Sequence, residues 1–416
     1  MAVYKRISAA IAAILCVTFL PLTNSAAAVP MNFSFTGSGY GHGVGMSQIG
    51  ARAKALAGES ATAILNYYYS GTKVETATDT QILLINIGHL LKSTKVSSSS
   101  SGAKLQLYAG ALSETQSAEA ILNLSSKTTL NVDLSSSHLN ISTKRGTKVS
   151  QITQGKAFTL RWSGTRYMDG TPTIVSVTAN AVVNKYRYGQ IQFRVINDKL
   201  LGNRLEIINF VRLQDEYLWG IGEVPSSWPL AALQAQAIAS RTYALAKSSR
   251  IRSACACHLY GSISDQSFVG FSKESEALYG QFWKSAVDST IGQIITYDGL
   301  PITAYFTSST GGATETSEHA WGTATPYTMS VPDTASADIK LNPKFATWSR
   351  QVTQSVIAAA FLLPDVVSLQ VLSINPVGTV DQIQATSSTG ASAILTGETF
   401  RSRSKLPSAW FSIITS

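Results

Sequence analysis

A chain of 416 residues with a net charge of +9, 44% hydrophobic residues and 14% charged ones is too long for one small core and too apolar to stay disordered. It should fold as two or three compact units. The positive balance asks for a polyanionic neighbour, whether nucleic acid, anionic lipid or an acidic wall polymer, without choosing among them.

Lys5 and Arg6 precede an apolar run from Ile7 to Leu22, and Ala26, Ala27 and Ala28 supply small residues for cleavage, so residues 1–28 read as a signal peptide. The run is shorter than the roughly 20 residues that span a bilayer, and Pro21 interrupts it; a retained membrane anchor is the lesser alternative. Leu15 stands before Cys16, a poor context for lipid attachment, so the mature chain keeps only Cys255 and Cys257. Export argues against nucleic acid as the acidic partner and favours a bacterial envelope with its peptidoglycan, a secreted, extracytoplasmic setting.

The stretch GSGYGHGVGMSQIG, residues 37 to 50, has glycine at every odd position from Gly37 to Gly45, with Tyr40 and His42 between them. Run as an extended strand, it would turn all five glycines to one side, leaving bare backbone that a glycan or a neighbouring strand can approach. His42 would then face the other side, as a cleft residue binding sugar or peptide or as a core histidine.

Next come one helix ending near Gly58 and a second, ATAILNYYY, stopped by Gly71. From about Val74 to Val182, runs such as KTTLNVDL, AFTLRW and TIVSVTA predict a β-rich region, and STKVSSSSSGAK at 93–104 reads as a flexible loop inside it. From Tyr186, QIQFRVIN and RLEIINFVRL alternate like paired strands and lead into DEYLWGIGEVPSSWPLAALQAQAIASRTYALAKSS. Ser226 or Ser227 can cap the helix that follows, Pro229 suits its first turn, and the seven alanines between 231 and 246 predict burial. Farther on, two strands flank the Asp298–Gly299 turn; a polar turn from Ser308 to Gly312 follows, then Glu318, His319 and Trp321.

A buried helix makes its polar residues informative, since each needs a partner or a wet cleft. Gln236, Ser240 and Tyr243 share one face by the i, i+4, i+7 rule; Gln234 and Arg241 share another. Glu223, just before the helix, stands in a stretch almost free of other charge. Burial would raise its pKa above about 4.3, while the helix N-terminus would favour its carboxylate. Taken alone it reads as a helix-entry or salt-bridge carboxylate rather than a catalyst. Ser309 with Gly311–Gly312 could offer hydroxyls and N–H groups to a ligand, or serve only as a turn.

Several chemistries find no support. The glycine stretch never matches G-x-G-x-x-G, there is no G-x-x-x-x-G-K-[ST] and no H-E-x-x-H, and GMSQIG is one residue too long for a nucleophile elbow. CACH at 255–258 offers two thiols and an imidazole without an evident fourth zinc ligand; the thiols could equally oxidise or stay free.

Taken together, YLWGIGEVPSSWPLAALQAQAIASRTYAL, DQSFVG, ITAYFTSSTGGATETSEHAWG, LTGETFRSRSKLPSAWFSI and GSGYGHGVGMSQIGARAKALAG resemble blocks of the SpoIID/LytB family (stage II sporulation protein D), which includes peptidoglycan lytic transglycosylases. The resemblance covers about 30–75 and 185–413. It implies that Glu223 is the catalytic acid and then base, cleaving the MurNAc–GlcNAc bond without water to leave an anhydro sugar, with no metal and no cofactor. His42, Gln48, Gln236, Arg241, Tyr243, Ser309, Thr310 and Gly311 become candidate substrate-binding residues. The implied partner is the glycan strand of peptidoglycan, with a cell-wall amidase as partner in the alternative that the LytB side of the family suggests, a non-catalytic amidase enhancer; an adhesive surface protein using the β-rich insert is a third reading.

Two departures stand out. Val224 occupies a place where the family often has methionine, and the glycine-histidine block comes first here instead of last. The expected architecture is α+β, mixed helices and mostly antiparallel strands around a substrate cleft with a β-rich inserted region. Its divisions are a signal peptide at 1–28, a glycine/histidine block at 30–75 packing onto the catalytic domain, a β-rich insert at 76–184 and a SpoIID-like catalytic domain at 185–416.

Overall fold

A computed structural model describes residues 29–414, so the signal-peptide reading lies outside the described residues. The two runs read as paired strands do pair. Gln190–Asp198 lies antiparallel to Gly202–Arg212, in register from Gln190 opposite Phe210 to Asp198 opposite Gly202. They form the middle of a seven-stranded sheet, and a six-stranded sheet built from strands between Ser93 and Tyr186 packs against it. Alternation explains the packing: Val96, Leu130, Val132, Leu139 and Ile141 of one sheet, and Leu105, Leu107, Leu160, Ile191 and Phe193 of the other, point inward into one buried cluster.

The Ser-rich segment departs from expectation. Ser93–Ser97 is a strand held between Thr129–Ser135 and Val175–Ala179, because Thr94 and Val96 alternate into the core. Only the serines after it form a loop.

Three helices set the site. Helix α1 (Gln48–Leu56) is capped by Ser47, whose hydroxyl accepts from Gly50 N at 3.0 Å, and α2 (Ala61–Tyr68) by Ser60 in the same way. Helix α3 (Leu230–Lys247) buries twelve residues, and its alanines let α1, α2 and strand Gln293–Tyr297 lie close against it. Its start corrects the expected serine cap: Pro229 is the cap residue, no side chain caps it, and the Ser226 hydroxyl donates instead to Glu276 at 2.6 Å. The large hydrophobic cluster runs from the sheets into Leu233, Ala237 and Ala244 of α3 and on to Trp283 and Val287, so the β-rich stretch and the helix share a core. A second cluster, around Phe35, Phe400 and Phe411, fastens strand Asn32–Gly37 between Trp348–Thr353 and Phe411–Ile414.

The glycine stretch is not extended, which corrects the strand reading. Gly39, Gly41, Gly43 and Gly45 all have positive φ, and the chain turns repeatedly as it lies along residues 305–310. Tyr40 and Ser309 exchange backbone hydrogen bonds at 3.0 and 3.2 Å, and Met46 N donates to Tyr305 O at 3.1 Å. Gly45 shows why no side chain fits: with φ +76°, a Cβ there would sit 2.0 Å from the Tyr305 carbonyl oxygen. The architecture is α+β with mostly antiparallel sheets, and among the described residues no helix is long and apolar enough to cross a membrane.

Candidate active site

Strand Gly202–Arg212 delivers the chain through a tight helical passage, Leu213–Gly220, to Glu223, and α3 begins seven residues later at Leu230. Ile221 pairs with Phe268, and Gly222 N donates to Ser267 O at 2.8 Å, so the segment before Glu223 is clamped to the segment 266–270. Ser267 N returns a hydrogen bond of 2.5 Å to Glu223 Oε1. Glu223 opens into a cleft of about 300 Å³, whose other walls come from Tyr40, Gly41 and His42 on the glycine stretch, from Phe306–Ser308, and from Ile263 and Asp265.

Burial raises the Glu223 pKa above the ordinary carboxylic range; the Ser267 N–H and the Gln48 amide, which favour the charged form, only partly oppose it. Gln48 is aimed by its own partners. Its Nε2 also donates to Gln236 Oε1 at 3.3 Å, and Gln236 Nε2 donates to Ser240 Oγ at 3.0 Å. The relay from α3 through Gln236 thus turns the Gln48 NH2 group, on the first residue of α1, toward the carboxyl. Desolvation favours the protonated acid, while the Ser267 N–H and the Gln48 side chain favour the charge it would carry once the proton has left.

His42 lines the same cleft as a fixed wall. Its Nδ1 accepts from Val44 N at 3.0 Å, and its ring meets Trp321 and Tyr305 edgewise with centroids 5.0 and 6.2 Å apart. Though the residue keeps an edge on the cleft, desolvation by the surrounding side chains, followed by the charge of Arg401, pushes its pKa down to about 3 against the opposing pull of the Phe306 carbonyl. His42 is therefore neutral, with Nδ1 already spent on the backbone.

The structure brings His42, Gln48 and, through Gln48, Gln236 to Glu223, and places the other candidates elsewhere. Arg241 is fully buried; it is paired with Asp79 at 2.8 Å and directed at Thr290 and the carbonyls of Val287 and Gln293, so it ties α3 to its neighbours and does not reach the cleft. Ser309, Thr310 and Gly311 lie beneath the glycine stretch: Thr310 Oγ1 donates to Asp333 at 2.7 Å, and Gly311 is pressed against the Trp410 indole. Their neighbours Thr307 and Ser308 line the cleft instead. Tyr243 acts one step removed, through a 2.9 Å hydrogen bond to Asp265.

Asp265 is the residue that sequence reading missed, although it stands in the quoted DQSFVG block. Arg252 grips it with two 2.8 Å hydrogen bonds, Tyr243 OH donates to Oδ1, and Tyr260 N donates to Oδ2 at 2.8 Å. Four donors occupy the acceptor sites of this carboxylate, leaving it no lone pair with which to activate water. It holds the loop that carries Ile263 and Ser267 against the cleft.

Cys255 and Cys257 form a disulfide, and His258 Nδ1 accepts from Leu84 N at 3.0 Å. The zinc alternative for CACH thus loses both thiolates, and among the described residues no group of three His, Cys, Asp or Glu side chains could hold a metal ion.

Residues 202–297 match the SpoIID family profile, described as Stage II sporulation protein. The chain is 36% identical over 118 residues to the "Amidase enhancer" of Bacillus subtilis (strain 168), covering 28% of this chain and 15% of that protein. It is 32% identical over 159 residues to "Stage II sporulation protein D" of the same organism, covering 35% and 44%. An uncharacterised protein of Brachyspira hyodysenteriae is 30% identical over 142 residues, covering 34% and 36%. The matched regions span less than half of each of these relatives.

Proposed function

We propose that this chain, whose residues 202–297 match the SpoIID family profile, is an exported lytic transglycosylase of peptidoglycan. A cell-wall-related function follows from the family; the reaction is argued from the cleft. The observation that carries it is Glu223, a single desolvated carboxyl at a cleft wall with Ser267 N–H and the Gln48 amide already pointed at it. Protonated Glu223 donates to the oxygen between MurNAc and GlcNAc, and the C1–O bond breaks. The resulting carboxylate, received by the two donors, then takes the proton of the muramoyl C6 hydroxyl as that oxygen closes on C1. Donation and recovery balance, so Glu223 ends protonated and water is not consumed.

Hydrolytic glycosidases use a second carboxylate as nucleophile or as base for water. Asp265, a carboxylate of the same cleft, is saturated by four protein donors, which supports the one-carboxyl route. Digesting peptide-free glycan strands in 18O-water tests the reaction: the proposal expects unlabelled anhydro ends, and labelled reducing ends overturn it.

The name of one relative supports a second reading, a non-catalytic enhancer of a wall amidase. Glycan binding without any cleavage would favour it.

A further inference from the structure

A second cleft, about 700 Å³, lies beside the Glu223 cleft and is lined entirely by residues between Glu318 and Arg403, outside the segment that matches the family profile. One aromatic contact links the two: the His42 ring, a wall of the first cleft, packs on the Trp321 indole, a wall of the second, with centroids 5.0 Å apart. Tyr305 braces the indole from another side at 4.7 Å, yet Trp321 stays 42% exposed. A large, fixed, solvent-facing indole in a concavity is a surface for flat faces of C–H groups.

Two polar residues of the lining, His319 and Arg403, are held in place. Glu315 is buried and accepts from the Thr316 N–H at 2.8 Å and from the Thr379 hydroxyl; it pairs with His319 Nδ1 at 2.9 Å, fixing the orientation of an imidazole that lines the cleft. Arg403 is tethered to the Ala360 carbonyl at 2.7 Å, and Glu318 makes no side-chain hydrogen bond among the described residues. The cleft thus combines an exposed indole with side chains that can donate and accept hydrogen bonds, the combination that ring hydroxyls and acetamido groups with apolar faces require.

We propose that the Trp321 cleft is a saccharide-binding subsite that holds the glycan strand beyond the Glu223 cleft, with the indole as the stacking platform and His319, Arg403 and Glu318 as hydroxyl and acetamido partners. It rests on the reading that the Glu223 cleft takes glycan, and it explains why the glycine stretch is fastened between the two: His42 keeps Trp321 in place.

Binding of GlcNAc oligomers of increasing length is to be measured calorimetrically with the full mature chain carrying Glu223→Gln, which prevents turnover. The parent should gain affinity as the oligomer lengthens. Trp321→Ala should lower affinity for long oligomers by about tenfold and leave that for short ones unchanged, while Trp321→Phe should restore most of it. Glu318→Ala, which leaves the indole that His42 contacts in the chain, should reduce long-oligomer binding in the same sense. Equal binding of long oligomers by all variants overturns the subsite, as does displacement of long oligomers by a free stem peptide. Loss of binding of every oligomer length by the parent would instead overturn the glycan reading of the Glu223 cleft.

Discussion

Gln48 and Glu223 face one cleft, and the Gln48 side chain favours the charged form of the Glu223 carboxyl, joining the glycine-rich segment that opens the described chain to the segment that opens helix α3. The contact makes the glycine stretch part of the acid's environment, and it has a kinetic signature. Activity requires protonated Glu223, so kcat/KM should fall as pH rises through its elevated pKa. Gln48 favours the charged form; Gln48→Ala should move that basic limb to higher pH while lowering the rate about tenfold to a hundredfold, the worth of a hydrogen bond to a charged group. A pH–rate profile of the variant checks both signs.

Stability should respond in the opposite sense. The Glu223 pKa is raised in the folded state, so its contribution is fully present at pH below the unfolded value and is lost as pH rises through the folded one. Glu223→Gln removes that loss. Thermal melts should show the variant more stable than the parent at pH 7 and indistinguishable from it near pH 3.

Much of this was legible in the sequence. The paired strands after Tyr186 and the alanine-rich helix were readable because period-2 and helical patterns are local, and Glu223 stood out by its isolation among uncharged neighbours. Arg241 was misjudged because its partner Asp79 lies far away in sequence, and a buried arginine satisfied at a distance looks like one reaching for substrate. Asp265 was invisible for the converse reason: Arg252, Tyr243 and Tyr260 meet only in the fold. The glycines were rightly read as close approach, but the approaching backbone belongs to residues 305–310 of the same chain, and positive φ replaces the extended run.

That packing predicts an intolerant site. Gly45→Ala places a methyl against the Tyr305 carbonyl at positive φ and should cost at least about 1–3 kcal/mol in denaturant unfolding. It should also reduce activity, because Met46 to Gln48 follow directly. Gly58→Ala, also at positive φ but with nothing within 4 Å, should cost no more than about 1–2 kcal/mol and leave activity intact.

The disulfide predicts indifference to chelation. With Cys255 and Cys257 joined and His258 Nδ1 engaged by the Leu84 N–H, EDTA treatment should leave activity and melting temperature unchanged. Replacing both cysteines by serine should lower stability by about 1–2 kcal/mol, as expected for so short a closed loop, measured by urea unfolding.

The central claim is tested most directly by mass analysis of the ends released from peptide-free glycan strands, with wild type and Glu223→Gln side by side. Anhydro-MurNAc ends from the wild type, reduced at least about a hundredfold in the variant, are the predicted result. Anhydro ends formed equally by both proteins, or by neither, would contradict it.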